Sequence, residues 1–158
     1  MSTTIASRQD LEAWVGFLRS HAAITRQLNI DLQNAHGLTL NDYEVMLHLA
    51  RAEGRMMRRV DLAESVVLTA SGITRLLDGL ECIGYVEKAG SEQDARVSYA
   101  KLTEAGSKKL AEASVTHRAG IDELFTSRYS PAELTTLADL MSRLPMSGKA
   151  CSGERACG

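Results

Sequence analysis

The chain has 158 residues, with a formal net charge of −2 at pH 7, 4% aromatic residues and two prolines. This length fits one domain, or one domain with helical extensions, and the scarcity of aromatic residues and prolines favours a mainly helical protein. The charge excludes a strongly basic nucleic-acid binder, and without a membrane-length apolar run or a signal peptide we expect a cytoplasmic protein with no membrane partner.

A long first helix is predicted from about residue 8 to residue 36. One face of this helix carries a long row of apolar side chains, here called its apolar stripe. A stripe of this length has no partner inside a small domain, so we expect it to be buried against the C-terminal helices and against another subunit. Gly37 is expected to end the helix. The stripe consists of Leu11, Trp14, Val15, Leu18, Ala22, Thr25, Leu28 and Leu32.

The next segment predicts two shorter helices with a strand between them. Asn41 is the expected cap of the second helix, which ends near Glu53-Gly54. Residues 55–58 form an edge strand, which would give a three-stranded sheet. A short helix then covers residues 60–67, with Leu62, Ala63 and Val66 inward.

Residues 69–103 are the centre of the prediction, because they have the order helix, strand, polar loop and returning strand. Thr69 is the expected N-cap of this helix, and Gly84 follows its end. The strands are predicted over residues 85–88 and 96–102. One face of the helix is apolar, with Ile73, Leu76, Leu77 and Leu80, and the opposite face carries Ser71, Thr74, Arg75, Asp78 and Cys82.

Two further helices are predicted after this hairpin. The first begins at Thr103-Glu104 and runs to about Arg128. The second begins at the capping box Ser130-Pro131-Ala132-Glu133. Their buried faces are expected to be Leu110, Ala113, Ile121, Leu124 and Phe125 in the first, and Leu134, Leu137, Leu140, Met141 and Leu144 in the second. Residues 145–158 are expected to form a flexible tail.

The sequence contains no motif that is typical of a catalytic site, a metal site or a redox-active pair of cysteines. There is no Gly-rich phosphate loop, GxSxG elbow, HExxH helix or pair of carboxylates, so no enzyme is predicted. No cofactor and no metal are expected either, because the four histidines (21, 36, 48 and 117) lack ligand spacing. Cys82, Cys151 and Cys157 form no CxxC pair, and Cys82 is interpreted as an unreactive residue at a helix end rather than a redox sensor.

A family resemblance rests on a combination of motifs. They are Leu38-Thr39, Leu62-Ala63, Ser71-Gly72-Ile73-Thr74-Arg75-Leu76, Leu80, Gly84, Asp94-Ala95-Arg96 and Leu102-Thr103-Glu104-Ala105-Gly106. In these residues the chain resembles the MarR family of bacterial winged-helix transcription regulators. Ala95 departs from the pattern, since many relatives carry a second arginine there.

The resemblance implies a mainly α fold with a small β-hairpin wing. Residues 38–103 would be the winged helix-turn-helix, and residues 8–36 and 104–144 the dimerisation helices. It also implies a ligand-responsive repressor that binds double-stranded DNA with an inverted-repeat operator as a homodimer, and a small-molecule effector. The sequence assigns no residue to that effector.

Six residues are the predicted DNA contacts. Thr74 and Arg75 would read base edges, while Thr69 and Ser71 would hold phosphates. Asp94 would orient the guanidinium of Arg96, which would enter a minor groove.

The charge of this segment leaves an alternative open. Residues 51–101 carry eight basic and eight acidic residues, so the segment is not basic overall. DNA binding therefore needs its cations to face phosphates while the acids face away. The alternative is a winged-helix module that docks on proteins without sequence-specific DNA binding. The cations concerned are Arg55, Arg58, Arg59, Arg75, Lys88 and Arg96.

Overall fold

The computed structural model describes residues 8–66, 68–90 and 93–145. Of the predicted tail, residues 146–158 lie outside these ranges. No helix within the ranges has the length and apolar character needed to cross a membrane. The helices and strands, in chain order, are α1 (Arg8–His36), α2 (Leu40–Arg51), β1 (Met56–Arg58), α3 (Arg59–Ser65), α4 (Ala70–Cys82), β2 (Val86–Gly90), β3 (Ser98–Leu102), α5 (Glu104–Leu124) and α6 (Pro131–Met141).

The strands form one antiparallel sheet in the order β1-β3-β2. Ala100, in the middle strand, faces Met57 on one side and Lys88 on the other. The Ala100 side chain is fully buried, so the sheet closes one side of the core. The predicted three-stranded wing is confirmed.

The core lies mainly between α2, α3, α4 and the sheet, and α1 and α5 reach it with one part each. α1 and α5 pack closely: a Cβ added at Gly120 would lie 2.7 Å from Cδ2 of Leu28. Side chains with no more than 2% exposure include Leu32, Leu38, Val45, Met46, Leu49, Leu62, Leu77, Leu80, Val86 and Leu102.

The predicted cap of α2 was wrong. Thr39 caps this helix: its Oγ1 accepts from the Asp42 N–H at 3.0 Å, and Oδ2 of Asp42 accepts from the Thr39 N–H at 2.8 Å. This reciprocal box satisfies two N–H groups, and it places Asn41 inside the helix. The second predicted box is confirmed, because Ser130 and Glu133 exchange the corresponding bonds at the start of α6.

Several elements are shorter than predicted, among them β3, α5 and α6. A turn closed by a hydrogen bond from the Val97 N–H to the Asp94 carbonyl delays β3 until Ser98. α5 ends at Leu124, and a 3-10 turn covers Thr126–Arg128. α6 ends at Met141, before Pro145.

The apolar stripes of α1 and α6 are only partly covered within one chain. The stripe of α1 is buried at Leu28 and Leu32, but Trp14 is 57% exposed. In α6, Leu134 and Leu137 are half-buried. The predicted burial of α6 is therefore wrong for a single chain at Leu140, Met141 and Leu144, which are exposed together with Leu11, Val15, Phe17 and Leu18 of α1.

Candidate nucleic-acid interface

Both ends of α4 are fixed by local hydrogen bonds. Oγ1 of Thr69 accepts from the Gly72 N–H at 3.1 Å, which confirms the predicted N-cap. At the other end the Tyr85 N–H reaches the Leu80 carbonyl at 2.9 Å, with Gly84 at φ +81°. This is a Schellman ending, in which glycine takes the left-handed conformation at little cost. The helix therefore leads into β2 in a defined direction.

The two predicted faces of α4 are confirmed. Ile73, Leu77 and Leu80 are buried, and Leu76 is half-buried beside them. Thr69 and Ser71 lie exposed at the start of the helix, with their hydroxyl oxygens 3.3 Å apart. Thr74, Arg75 and Asp78 are exposed on the same outward face. The fold thus presents four predicted contact residues together, and their contacts with DNA stay a prediction.

Most cations of the winged segment are held by acids of the chain itself. Both carboxylate oxygens of Asp61 accept from the Arg58 guanidinium, at 2.7 and 2.8 Å. The other pairs are Arg55 with Glu104 at 3.0 Å, Arg59 with Glu81 at 2.6 Å and Lys88 with Glu81 at 3.5 Å.

Arg75 and Arg96 differ from these four cations. Neither forms an ion pair with any residue in the described part of the chain, and both are exposed. One lies on the outward face of α4, and the other lies in the turn that precedes β3. Of the six cations considered, Arg75 and Arg96 are therefore the two that no carboxylate of the described residues neutralises.

The predicted ion pair between Asp94 and Arg96 is not formed. Oδ1 of Asp94 instead accepts from the backbone N–H of Arg96 at 2.9 Å, and the Val97 N–H bonds to the Asp94 carbonyl at 3.2 Å. This is an Asx turn, in which an aspartate at the first position fixes the backbone two residues later. The carboxylate thus shapes the loop that carries Arg96 and leaves the guanidinium to other partners.

The sequence reasoning missed a junction at Thr103 that joins the wing to α5. Oγ1 of Thr103 donates to the Gly84 carbonyl at 2.6 Å and accepts from the Gly106 N–H at 3.0 Å. A Cβ at Gly106 would lie 2.1 Å from the Tyr85 carbonyl oxygen, so only glycine fits there. The sequence signal for this junction is the motif at residues 102–106. That motif supports the family resemblance, but it does not by itself indicate which contact these residues make.

The histidines and cysteines form no site in the described ranges. No group of three metal-binding side chains occurs there. Nε2 of His36 lies 2.7 Å from Oγ1 of Thr116, and the His117 ring packs on Tyr43 with ring centroids 4.4 Å apart. Burial lowers the pKa of His117. Cys82 is exposed and unbridged, while the other two cysteines, at 151 and 157, lie outside the described residues.

Comparison with known proteins identifies this architecture. A family model for the transcriptional regulators SarA/Rot matches residues 27–113. AbsC, a MarR family transcriptional regulator from Streptomyces coelicolor, is 31% identical in sequence, with 88% of this chain and 93% of AbsC covered and a TM-score of 0.81.

Two further relatives agree with this match. Sco3205, a MarR family regulator of the same organism solved in complex with DNA, shares the fold at 21% identity and a TM-score of 0.84, over 89% of this chain and 88% of its own. The HTH-type transcriptional regulator MhqR of Bacillus subtilis is 24% identical over 90% of this chain and 96% of its own length. These relatives are transcriptional regulators and not enzymes. The chain belongs to the MarR family of winged-helix transcriptional regulators.

Proposed function

We propose that this regulator binds an inverted-repeat operator as a homodimer and represses transcription by occupying a promoter. Each α4 would enter a major groove, about 10 base pairs from its mate, because a two-fold dimer matches a two-fold repeat. Each wing would reach the flanking minor groove. A regulator of this kind acts on DNA in the cytoplasm.

The observation that carries the proposal is the contrast between the paired and the unpaired cations. A guanidinium already held by a carboxylate would have to break that pair before it could bind a phosphate or a base. Arg75 and Arg96 form no ion pair within the described part of the chain, so neither has to break one before it binds DNA. Arg75 is exposed on the outward face of α4, and Arg96 is exposed in the turn before β3. A helix in the major groove would bring Arg75 to base edges, and a wing beside it would bring Arg96 to a minor groove. We assign sequence reading to Arg75 with Thr74, and groove anchoring to Arg96.

The homodimer is proposed from the uncovered halves of α1 and α6. Exposed apolar patches often mark protein interfaces, and α1 and α6 expose Trp14, Leu18 and Leu140 among other large apolar side chains. A groove of about 470 Å³ between them is lined by Phe17, Ile24, Phe125, Leu137 and Met141 among others. A second copy of the chain is the occupant we propose, because the same stripes on two copies complement each other about a two-fold axis.

A response to a small molecule is part of the same proposal, although we assign it no site. An effector would act by changing the separation of the two α4 helices, since only that separation decides whether both fit adjacent major grooves. Its effect would be measured as release of the dimer from its operator.

Selection from a random duplex library tests the proposal. The full-length protein is carried through repeated rounds of gel shift, and the bound duplexes are sequenced. We expect an inverted repeat with half-sites about one helical turn apart. Recovery of no repeat would favour the protein-docking alternative, which the neutral charge of the segment supports.

A further inference from the structure

Glu81, the penultimate residue of α4, forms a bridge between three elements. One carboxylate oxygen accepts from Arg59 of α3 at 2.6 Å, and the other lies 3.5 Å from Nζ of Lys88 in β2. The Arg59 and Glu81 side chains are only 16% and 19% exposed. The carboxylate therefore connects α3, α4 and β2. In the proposed complex α4 is the helix that enters the major groove, and we call it the recognition helix.

Local energetics do not explain this arrangement. An acid in the last turn of a helix faces the negative end of the helix dipole, which is unfavourable. Nε of Arg59 is buried without a hydrogen-bond partner in the described part of the chain, which costs further free energy. Apolar residues of similar volume often stabilise such a position better than a partly buried ion pair. Because these ion pairs are not explained by a gain in stability, we attribute to them a role in fixing the geometry of α3, α4 and β2.

A small rotation of β2 relative to α4 produces a large displacement at the far end of the wing. The five residues of β2 extend about 13 Å at roughly 3.3 Å per residue, so a rotation of about 10° at the base moves the far end by about 2 Å. A displacement of that size breaks a hydrogen bond, which tolerates only a few tenths of an ångström. The angle between α4 and β2 decides whether Arg75 and Arg96 contact one duplex at the same time.

We propose that Glu81 is a positioning residue which, through Arg59 and Lys88, sets the angle between the recognition helix and the wing. This inference rests on the proposed function, because it concerns simultaneous contact with two grooves. Glu81 itself touches no DNA in this account. Its second effect is to hold two cations away from phosphates, so that affinity depends on Arg75 and Arg96.

A double-mutant cycle between Glu81 and Arg96 tests the proposal. Glu81 lies in α4 and Arg96 in the turn before β3, and no ion pair joins them, so we expect an energetic coupling in DNA binding to pass through the position of the wing. Affinities are measured for the wild type, Glu81→Gln, Arg96→Ala and the double variant. The probes are the inverted repeat selected by the wild type and a scrambled duplex of equal length. Glu87→Gln is the matched control, since it also removes one carboxylate, here from β2, and breaks only an exposed pair with Lys101 at 3.7 Å.

We expect Glu81→Gln to weaken binding to the selected repeat about tenfold and to leave the scrambled duplex unchanged or slightly tighter. In the Glu81→Gln background, Arg96→Ala should cost at most about twofold, whereas in the Glu87→Gln background it should keep its full effect. Equal gains in affinity on both duplexes for Glu81→Gln and Glu87→Gln would overturn the proposal, because charge alone would explain them. Additive effects of Glu81→Gln and Arg96→Ala would overturn it as well.

Glu81→Gln leaves the buried Arg59 with a weaker partner, so its thermal unfolding and mass are checked first. Should it fail to fold, Lys88→Gln replaces it in the same cycle. Lys88 is 64% exposed, and its loss keeps the Arg59–Glu81 pair. Additivity of Lys88→Gln with Arg96→Ala would then overturn the proposal. Failure of the selection itself to yield a repeat would count against the proposed function and not against Glu81.

Discussion

The winged segment and the helical extensions use similar apolar residues in different ways. In the winged segment Leu62 and Leu77 are fully buried within one chain. In the N-terminal half of α1, Trp14 and Leu18 are 57% and 45% exposed. Apolar residues recur at helical spacing in both regions. The spacing alone therefore does not show whether the apolar face is buried by the same chain or by another surface.

The two regions therefore differ in what covers their apolar side chains: a single chain is enough for the winged segment but not for the helical extensions. The winged segment closes its core within one chain, with its own sheet and helices and a few side chains of α1 and α5. The extensions are buried where α1 packs on α5 and where Leu32, Leu110 and Ala113 join the core of the winged segment. The N-terminal half of α1 and the end of α6 keep their apolar side chains exposed. Substitutions should therefore separate the two regions by their readouts, with association affected in one and unfolding in the other.

Trp14→Glu should have the largest effect, on association. In a dimer that covers this stripe, each protomer would bury an unpaired carboxylate, at about 3–5 kcal/mol per charge. Light scattering at micromolar concentration should change from the mass of two chains to the mass of one. Val60→Glu is the control, because Val60 is 64% exposed on α3 in the other region. Dimers of unchanged stability with Trp14→Glu would show that α1 is not the covered surface.

Leu77→Ala should have the next largest effect, on the free energy of unfolding. It removes a fully buried side chain from the core, and such changes cost about 2–5 kcal/mol. Urea unfolding measures the loss, while the mass in light scattering stays that of the dimer. Ile83→Ala is the matched control, since Ile83 lies just beyond the same helix and is 55% exposed. Similar losses in both variants would mean that the winged core is not closed as described.

Asp94→Ala should have a smaller effect, on DNA binding. Loss of the hydrogen bond to the Arg96 N–H frees the turn and should weaken binding by about 1 kcal/mol, although a negative charge is removed. The measurement is an affinity titration over a range of salt concentrations, with Asp94→Asn as the variant that keeps an acceptor. Tighter binding of Asp94→Ala at every salt concentration would indicate that the carboxylate only repels DNA.

His117 should give the smallest effect, in the pH dependence of stability. Burial lowers its pKa in the folded state, so the unfolded chain binds more protons between that value and the ordinary one near 6.5. This contribution is therefore fully present above the ordinary pKa and is lost as the pH falls through the window below it. Thermal unfolding from pH 7.5 to 5.5 should decline less steeply for His117→Gln than for the wild type. Equal slopes would contradict this reading.

The features that were predicted correctly from the sequence are those that depend on residues close together in the chain. The caps at Thr69 and Ser130 and the two faces of α4 depend on residues within one or two turns. Asn41 was wrongly favoured as a cap because both Thr39 and Asn41 are good N-cap residues, and only the position of the first helical turn separates them.

Features that depend on contacts distant in the chain could not be predicted. Arg59 and Glu81 are 22 residues apart, and Arg55 and Glu104 are 49 residues apart. Nothing in the sequence distinguishes the six cations from one another, and only the fold shows which of them have a carboxylate beside them. The Asp94 turn was missed for a different reason, since its side chain can bond to a guanidinium or to a backbone N–H with the same spacing.

We expect Arg75 and Arg96, which form no ion pair within the described residues, to contact DNA, and the cations paired with carboxylates not to contact it. The direct test is the salt dependence of affinity for the selected repeat, measured on Arg75→Ala, Arg96→Ala and the ion-paired control Arg58→Ala. We expect Arg75→Ala to cost about 1–3 kcal/mol on the repeat and much less on scrambled DNA. Arg96→Ala should lower the salt slope by about one unit per wing, and Arg58→Ala should change neither quantity. Equal losses for all three variants on both duplexes would contradict the claim.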